Sequence, residues 1–148
     1  LFETMGHLEE IEIALETVKD LDHKVWLSLI MKDKDHILSG HHINDVFMLS
    51  DKNIDCLMLN CNTIAKTNET LEIIKDNWIN SWGVYPNLGL SEPEPDGEIE
   101  EKVQETDFKE TILSYLKMNP KIIGSCCGSS PIHIKMIKEI KEKLFLLD

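Results

Sequence analysis

The sequence of 148 residues predicts an α/β fold, and three observations carry that reading. Short apolar runs alternate with amphipathic helical stripes at about thirty residues per unit, the length of a strand, helix and connection. No antiparallel hairpin signal falls between consecutive runs. The cysteine-bearing segments follow directly after two of the runs, where parallel α/β folds build their sites.

Taken in order, Leu1-Phe2 reads as the tail of a strand. Leu8, Ile11, Leu15 and Val18 recur at helical spacing and predict a helix over about His7 to Lys19. Val25 to Met31 is a nearly continuous apolar run, the pattern of a parallel strand covered on both faces. Ile43, Val46, Phe47 and Ser50 suggest a brief helix, Cys56 to Leu59 a second strand, and Leu71 and Ile74, beside Ile73, the next helix. Trp82 to Tyr85 reads as a strand closed by Pro86-Asn87. The acidic, proline-containing stretch from Leu88 to Glu105, with its densest charge between Glu92 and Glu105, predicts a solvated loop. Phe108, Ile112, Leu113 and Leu116 mark a helix, Lys121 to Gly124 the last strand, and Ser130-Pro131 the cap of a closing helix through about Leu146. The inner side of that helix is expected to include Ile134, Ile137 and Ile140.

Five such units fit an open doubly wound sheet or part of a closed barrel. No glycine-rich phosphate loop follows any strand, which argues against dinucleotide binding. A closed (β/α)8 barrel takes about 250 residues, so three units would be missing, and their place is in front, since Leu1 opens in mid-element.

Composition limits the partners. The chain is 42% apolar and 28% charged, ordinary for a soluble globular protein, and its formal charge of −12 with no basic cluster disfavours nucleic acid and anionic membranes. No apolar run approaches the roughly 20 residues of a spanning helix, and no secretory signal is visible. Four cysteines without an even framework fit a reducing compartment, so the expected location is cytoplasmic.

The segment Gly124-Ser125-Cys126-Cys127-Gly128-Ser129-Ser130-Pro131 is the most informative stretch. Adjacent cysteines aim at one centre only where the backbone turns sharply, which glycine permits. A disulfide between neighbours would be strained, because consecutive Cα atoms lie about 3.8 Å apart and disulfides prefer about 4.4–6.8 Å. With Cys61 they form a three-thiolate set, and three thiolates leave one position of a tetrahedral zinc open, the mark of a catalytic site. A thiol substrate bound there would be held as a nucleophilic thiolate, which implies alkyl transfer to sulfur. Cys56 lies inside a strand and is expected to pack rather than bind, while His41, His42 and His133 are expected in surface or capping roles.

Asn60-Cys61, then Tyr85-Pro86-Asn87-Leu88-Gly89, then Ile122-Ile123-Gly124-Ser125-Cys126-Cys127-Gly128 followed by Pro131 and His133-Ile134, resembles the zinc-dependent homocysteine S-methyltransferase family. The 65 positions between Cys61 and Cys126 also agree with it. The resemblance covers essentially the whole chain and implies that residues 1–148 are a partial homocysteine-binding (β/α)8 TIM barrel domain holding the last five βα units. It implies Cys61, Cys126 and Cys127 as ligands of Zn2+, homocysteine as the thiol, and Glu3 as the carboxylate for its amino group. The implied donor is a small methyl compound, foremost S-methylmethionine, with S-adenosylmethionine a lesser one; users of betaine and methylcobalamin share the motif. Ser125 stands where the family usually has a second glycine, so a positive φ there would be strained. Two other readings stay open: a non-catalytic zinc- or thiol-binding α/β module, and a complete flavodoxin-like binding protein.

Overall fold

The computed structural model describes residues 1–49, 54–91 and 99–146. Five strands, β1 (Phe2–Met5), β2 (Val25–Leu29), β3 (Ile54–Asn60), β4 (Ser81–Tyr85) and β5 (Ile122–Ile123), alternate with helices α1 (Leu8–Val18), α2 (Ile43–Phe47), α3 (Ile64–Asn77), α4 (Glu105–Lys117) and α5 (Pro131–Phe145). All neighbouring strands pair in parallel, in the order β1-β2-β3-β4-β5. A flavodoxin-like sheet reverses direction between its halves. This order has no reversal, which overturns that reading. Right-handed crossovers that all step the same way put the described helices on one face of the sheet.

The core lies between sheet and helices. Leu27, Leu29, Leu57, Leu59 and Val84 face Ile11, Leu15, Phe108 and Ile112, all with no exposed surface. The 3.6-residue stripe explains the helices: Ile11 and Leu15 of α1 lie one turn apart, as do Phe108, Ile112 and Tyr115 on α4. Tyr115 was not among the residues expected inside. It is buried because its hydroxyl donates to Asn68 Oδ1 at 2.7 Å, which removes the cost of burying a phenol. On α5 Ile137 is buried and Ile140 partly so, but Ile134 is half exposed, against expectation. The inward stripe runs through His133, Met136, Ile137 and Ile140, and Ile134 lies beside it; the His133 ring meets Phe108 edge-on at 5.1 Å.

The opposite face carries Trp26, Ser28, Cys56, Met58, Asn60, Gly83, Tyr85 and Ile122 by alternation and register. Cys56 is buried there in mid-strand, as expected, and burial pushes its thiol up to about 11. Gly83 is required by close approach: a Cβ would sit 2.9 Å from Ile122 Cβ and 3.0 Å from both Ile122 O and Met58 Cγ. Gly83→Val is therefore expected to destabilise the fold by about 1–3 kcal/mol, the usual cost of overpacking, measured as a fall in the denaturant midpoint.

Ser50 and Glu92 to Glu98 lie outside the described residues. The flanks of the acidic stretch are pinned rather than loose. Leu88 is buried, Gly89 bridges Lys102, and Leu90 N–H donates to Glu101 O at 3.0 Å, while Glu105 already opens α4. Among the described residues no helix is long and apolar enough to cross a membrane.

Candidate metal centre

Parallel strands ending together bring their following loops to one rim, and both cysteine segments start there. Cys61 follows the last residue of β3, and Cys126 and Cys127 lie in the loop between β5 and α5. Their sulfurs converge: Cys61 Sγ lies 2.7 Å from Cys126 Sγ and 3.4 Å from Cys127 Sγ, and the latter two are 3.8 Å apart. Cys61 and Cys126 are half-buried, Cys127 is exposed, and all three are free thiols.

Local chemistry shapes each ligand. Cys61 has φ +56°, a left-handed conformation rare outside glycine, which turns the chain sharply off β3. The turn is held at both ends of the residue: Cys61 N–H donates to Tyr85 O at 3.3 Å, and Asn87 Nδ2 donates to Cys61 O at 2.9 Å. The next residue continues the scaffold, since Asn62 Oδ1 accepts from Met31 N–H at 2.8 Å and its amide donates to Leu29 O at 3.2 Å. The other two cysteines hang from the same segment. Cys126 N–H donates to Pro86 O at 2.8 Å and Leu88 N–H to Cys127 O at 3.0 Å. Tyr85-Pro86-Asn87-Leu88-Gly89 is thus the bracket that joins the two cysteine loops.

Glycine is needed in the second loop at Gly128, whose φ is +78° and where a Cβ would meet Ile99 Cδ1 at 3.2 Å. Ser125 does not take a positive φ, so the strain expected of it does not arise; its hydroxyl is buried without a hydrogen-bond partner. His133 Nδ1 accepts from Ser130 N–H at 3.0 Å and His42 Nδ1 from Asn44 N–H at 3.1 Å, both at helix starts, and His41 Nδ1 pairs with Ser39 Oγ. The capping and surface roles expected of these histidines hold.

Electrostatics within the triad are uneven. The close contact of Cys61 with Cys126, in which either sulfur can donate, drives the two thiols apart, one lowered and the other raised, while burial opposes ionisation of both. A cluster of three thiols with donor atoms within 4.8 Å of one another fits a soft divalent cation. In tetrahedral zinc thiolate sites, Zn–S bonds of about 2.3 Å put sulfurs about 3.8 Å apart, close to two of the three distances here. A second ligand-type group, Asp33, Asp35 and His36, faces solvent, and its imidazole is engaged by both carboxylates at 2.9 and 2.8 Å.

Glu3 sits on the same rim, exposed, on β1. An extra residue in β1 relative to β2 produces a bulge between Phe2 and Met5, and Thr4 within it has φ +59°. Asn60 holds that bulge. Its Oδ1 accepts from Thr4 N–H at 3.2 Å and from Ser28 Oγ at 2.6 Å, and its Nδ2 donates to Thr4 Oγ1 at 2.8 Å. Sequence reasoning gave Asn60 and Asn87 no contact. The available signal was a polar side chain at a strand end, Asn60 beside a cysteine and Asn87 just past β4.

Known proteins share this sequence pattern and fold. Homocysteine S-methyltransferase 3 of Zea mays is 26% identical over 145 residues, which are 92% of this chain and 42% of that protein. Homocysteine S-methyltransferase of Escherichia coli strain K12 is 24% identical over 148 residues, covering 92% of this chain and 45% of the relative. The chain spans less than half the length of the curated relatives it matches. Crystal structures of the homocysteine methyltransferase MmuM from Escherichia coli share the fold: the oxidized form has a TM-score of 0.76 at 22% identity, over 93% of this chain and 44% of that one. The metallated form has a TM-score of 0.73 at 23% identity, over 93% and 43%. The family profile described as homocysteine S-methyltransferase matches residues 1–141, and the chain belongs to that family.

Proposed function

We propose that this chain is the zinc-bearing part of a homocysteine S-methyltransferase that makes methionine, probed first through its metal. The observation that carries the reading is the meeting of Cys61 with Cys126 and Cys127, 65 and 66 positions away, on one rim. Cys61, Cys126 and Cys127 would hold Zn2+. When bound, zinc supplies Lewis acidity that keeps a coordinated thiol deprotonated near neutral pH.

The remaining roles belong to the chain. Glu3 takes the ammonium of homocysteine, a charge-assisted pairing. The anionic rim, with Glu3 and the thiolates, suits a cationic donor, and S-methylmethionine carries a sulfonium. In the transfer the homocysteine sulfur forms a bond to the methyl carbon as the donor's carbon–sulfur bond breaks. The electron pair of that bond stays on the donor sulfur, leaving a neutral thioether, and the homocysteine proton has already left to solvent.

The uninterrupted strand order supports an arc of a (β/α)8 barrel, and we take residues 1–148 as its last five units. Trp26 on the helix-free face is 39% exposed, as a barrel-lining residue would be with part of the wall uncovered. Zinc-edge X-ray absorption tests the site. Adding homocysteine to the zinc-loaded protein is expected to raise the first shell from three sulfurs to four at about 2.3 Å. An unchanged shell would sink the enzyme reading and leave a metal-holding module.

A further inference from the structure

The phenol of Tyr85 is the one buried tyrosine hydroxyl among the described residues that closes no hydrogen bond, whereas Tyr115 is satisfied by Asn68. An orphaned buried hydroxyl costs about 1–3 kcal/mol, so one that lies beside a candidate site calls for a partner such as an ordered water, an ion or a ligand. Its location is specific. Tyr85 ends β4 in register with Asn60, its carbonyl accepts from Cys61 N–H, and its ring base packs where a Gly124 side chain would begin, 3.2 Å away. On the facing side are Ser28 and Glu3, both near enough to act on the hydroxyl without satisfying it, and Cys126 lies within electrostatic range.

Resting on the homocysteine reading, we propose that the Tyr85 hydroxyl binds the α-ammonium of the amino-acid thiol, accepting one of its N–H groups while Glu3 carries the opposite charge. The surroundings choose between the two ends of the amino acid. Glu3, together with three thiolates around a dication at a net charge of −1, makes the rim anionic, which repels a carboxylate and draws a cation. A phenol is neutral near pH 7 and offers an oxygen lone pair as an acceptor. An ammonium has three donors. One carboxylate on an exposed side chain leaves N–H groups to place, and the buried Tyr85 hydroxyl is close enough to Glu3 to take one of them. No new bond or proton transfer is involved.

Tyr85→Phe tests this in the zinc-loaded protein by calorimetric titration with three thiols: homocysteine, 3-aminopropane-1-thiol, which lacks the carboxylate, and 4-sulfanylbutanoate, which lacks the ammonium. The variant is expected to bind the two amines about tenfold more weakly or worse, the usual worth of a hydrogen bond to a charged group, and 4-sulfanylbutanoate as before. It should also melt no lower than the parent, since it removes an unsatisfied hydroxyl. Equal weakening for all three thiols would overturn the inference by making the phenol a shaping element. Weakening confined to the two carboxylates would overturn it by moving the contact to the other end. A lower melting temperature would do so by revealing an internal partner. If the parent protein binds none of the three, the homocysteine reading itself falls and takes this contact with it.

Discussion

On the proposed reading, Cys61→Ser costs the protein its zinc, lowering affinity by roughly a hundredfold or more, and methyl transfer falls with it. Three features make Cys61 the sensitive member. It alone comes from β3, so without it the remaining thiols are neighbours on one loop. Its carbonyl and amide are both held by the Tyr85 to Gly89 bracket, so no other residue can move into its place. Its left-handed backbone, at φ +56°, is a conformation in which a residue persists only when its surroundings over-determine it. A serine there would keep the shape and lose the soft donor. Metal content after dialysis against a mild chelator, measured beside transfer rate, checks the expectation. Cys56→Ser is the contrast: that thiol is buried in mid-strand with its ionisation suppressed, so the variant should lose stability and keep its metal. A Cys61→Ser protein that retains one zinc per chain would remove the triad from the reading.

The same residue shows what the sequence reveals and what it hides. A cysteine just past an apolar run, and a cysteine pair between glycines before a capped helix, are local patterns, and parallel strand ends bring such patterns together whatever fills the middle. The βα alternation was legible for the same reason, since Ile11 and Leu15 or Phe108 and Ile112 show the helical period directly. The left-handed turn at Cys61 was not, because glycine is the residue that signals a positive φ and none stands there. Ser125 drew attention by lacking a glycine, yet the positive φ falls three residues later at Gly128. Buried amides were the larger omission. Asn60, Asn62 and Asn87 have under 2% exposure, and each satisfies backbone groups of segments far away in sequence, partners that only the assembled sheet supplies. Ile134 erred the other way. An isoleucine in a helix suggests burial, but α5 turns the stripe beginning at His133 inward, and the edge-on ring contact with Phe108 occupies that side.

Asn60→Ala should separate substrate binding from metal binding. Thr4 is β-branched and sits at φ +59°, where side-chain sterics cost about 1–3 kcal/mol. The bulge survives because Asn60 grips it twice, accepting from the Thr4 amide and donating to its hydroxyl, while Ser28 fixes the Asn60 oxygen. Glu3 is carried on this bulge. Without the amide, β1 gains by relaxing to an ordinary extended pairing with β2, and a shift of one residue in a strand sends a side chain to the opposite face. On the proposed reading Glu3 then leaves the substrate ammonium. The KM for homocysteine is expected to rise about ten- to a hundredfold, the loss of one charge-assisted contact, with zinc content unchanged because Cys61 is held by Tyr85 and Asn87 rather than by Asn60. Thr4→Gly supplies the decisive background. Glycine adopts the left-handed conformation without strain, so there the bulge no longer depends on the clamp, and Asn60→Ala should raise KM by far less than it does beside Thr4. Equal losses in both backgrounds would show that Asn60 acts by some route other than the bulge, and loss of zinc in either would show that the two halves of the rim are not independently held.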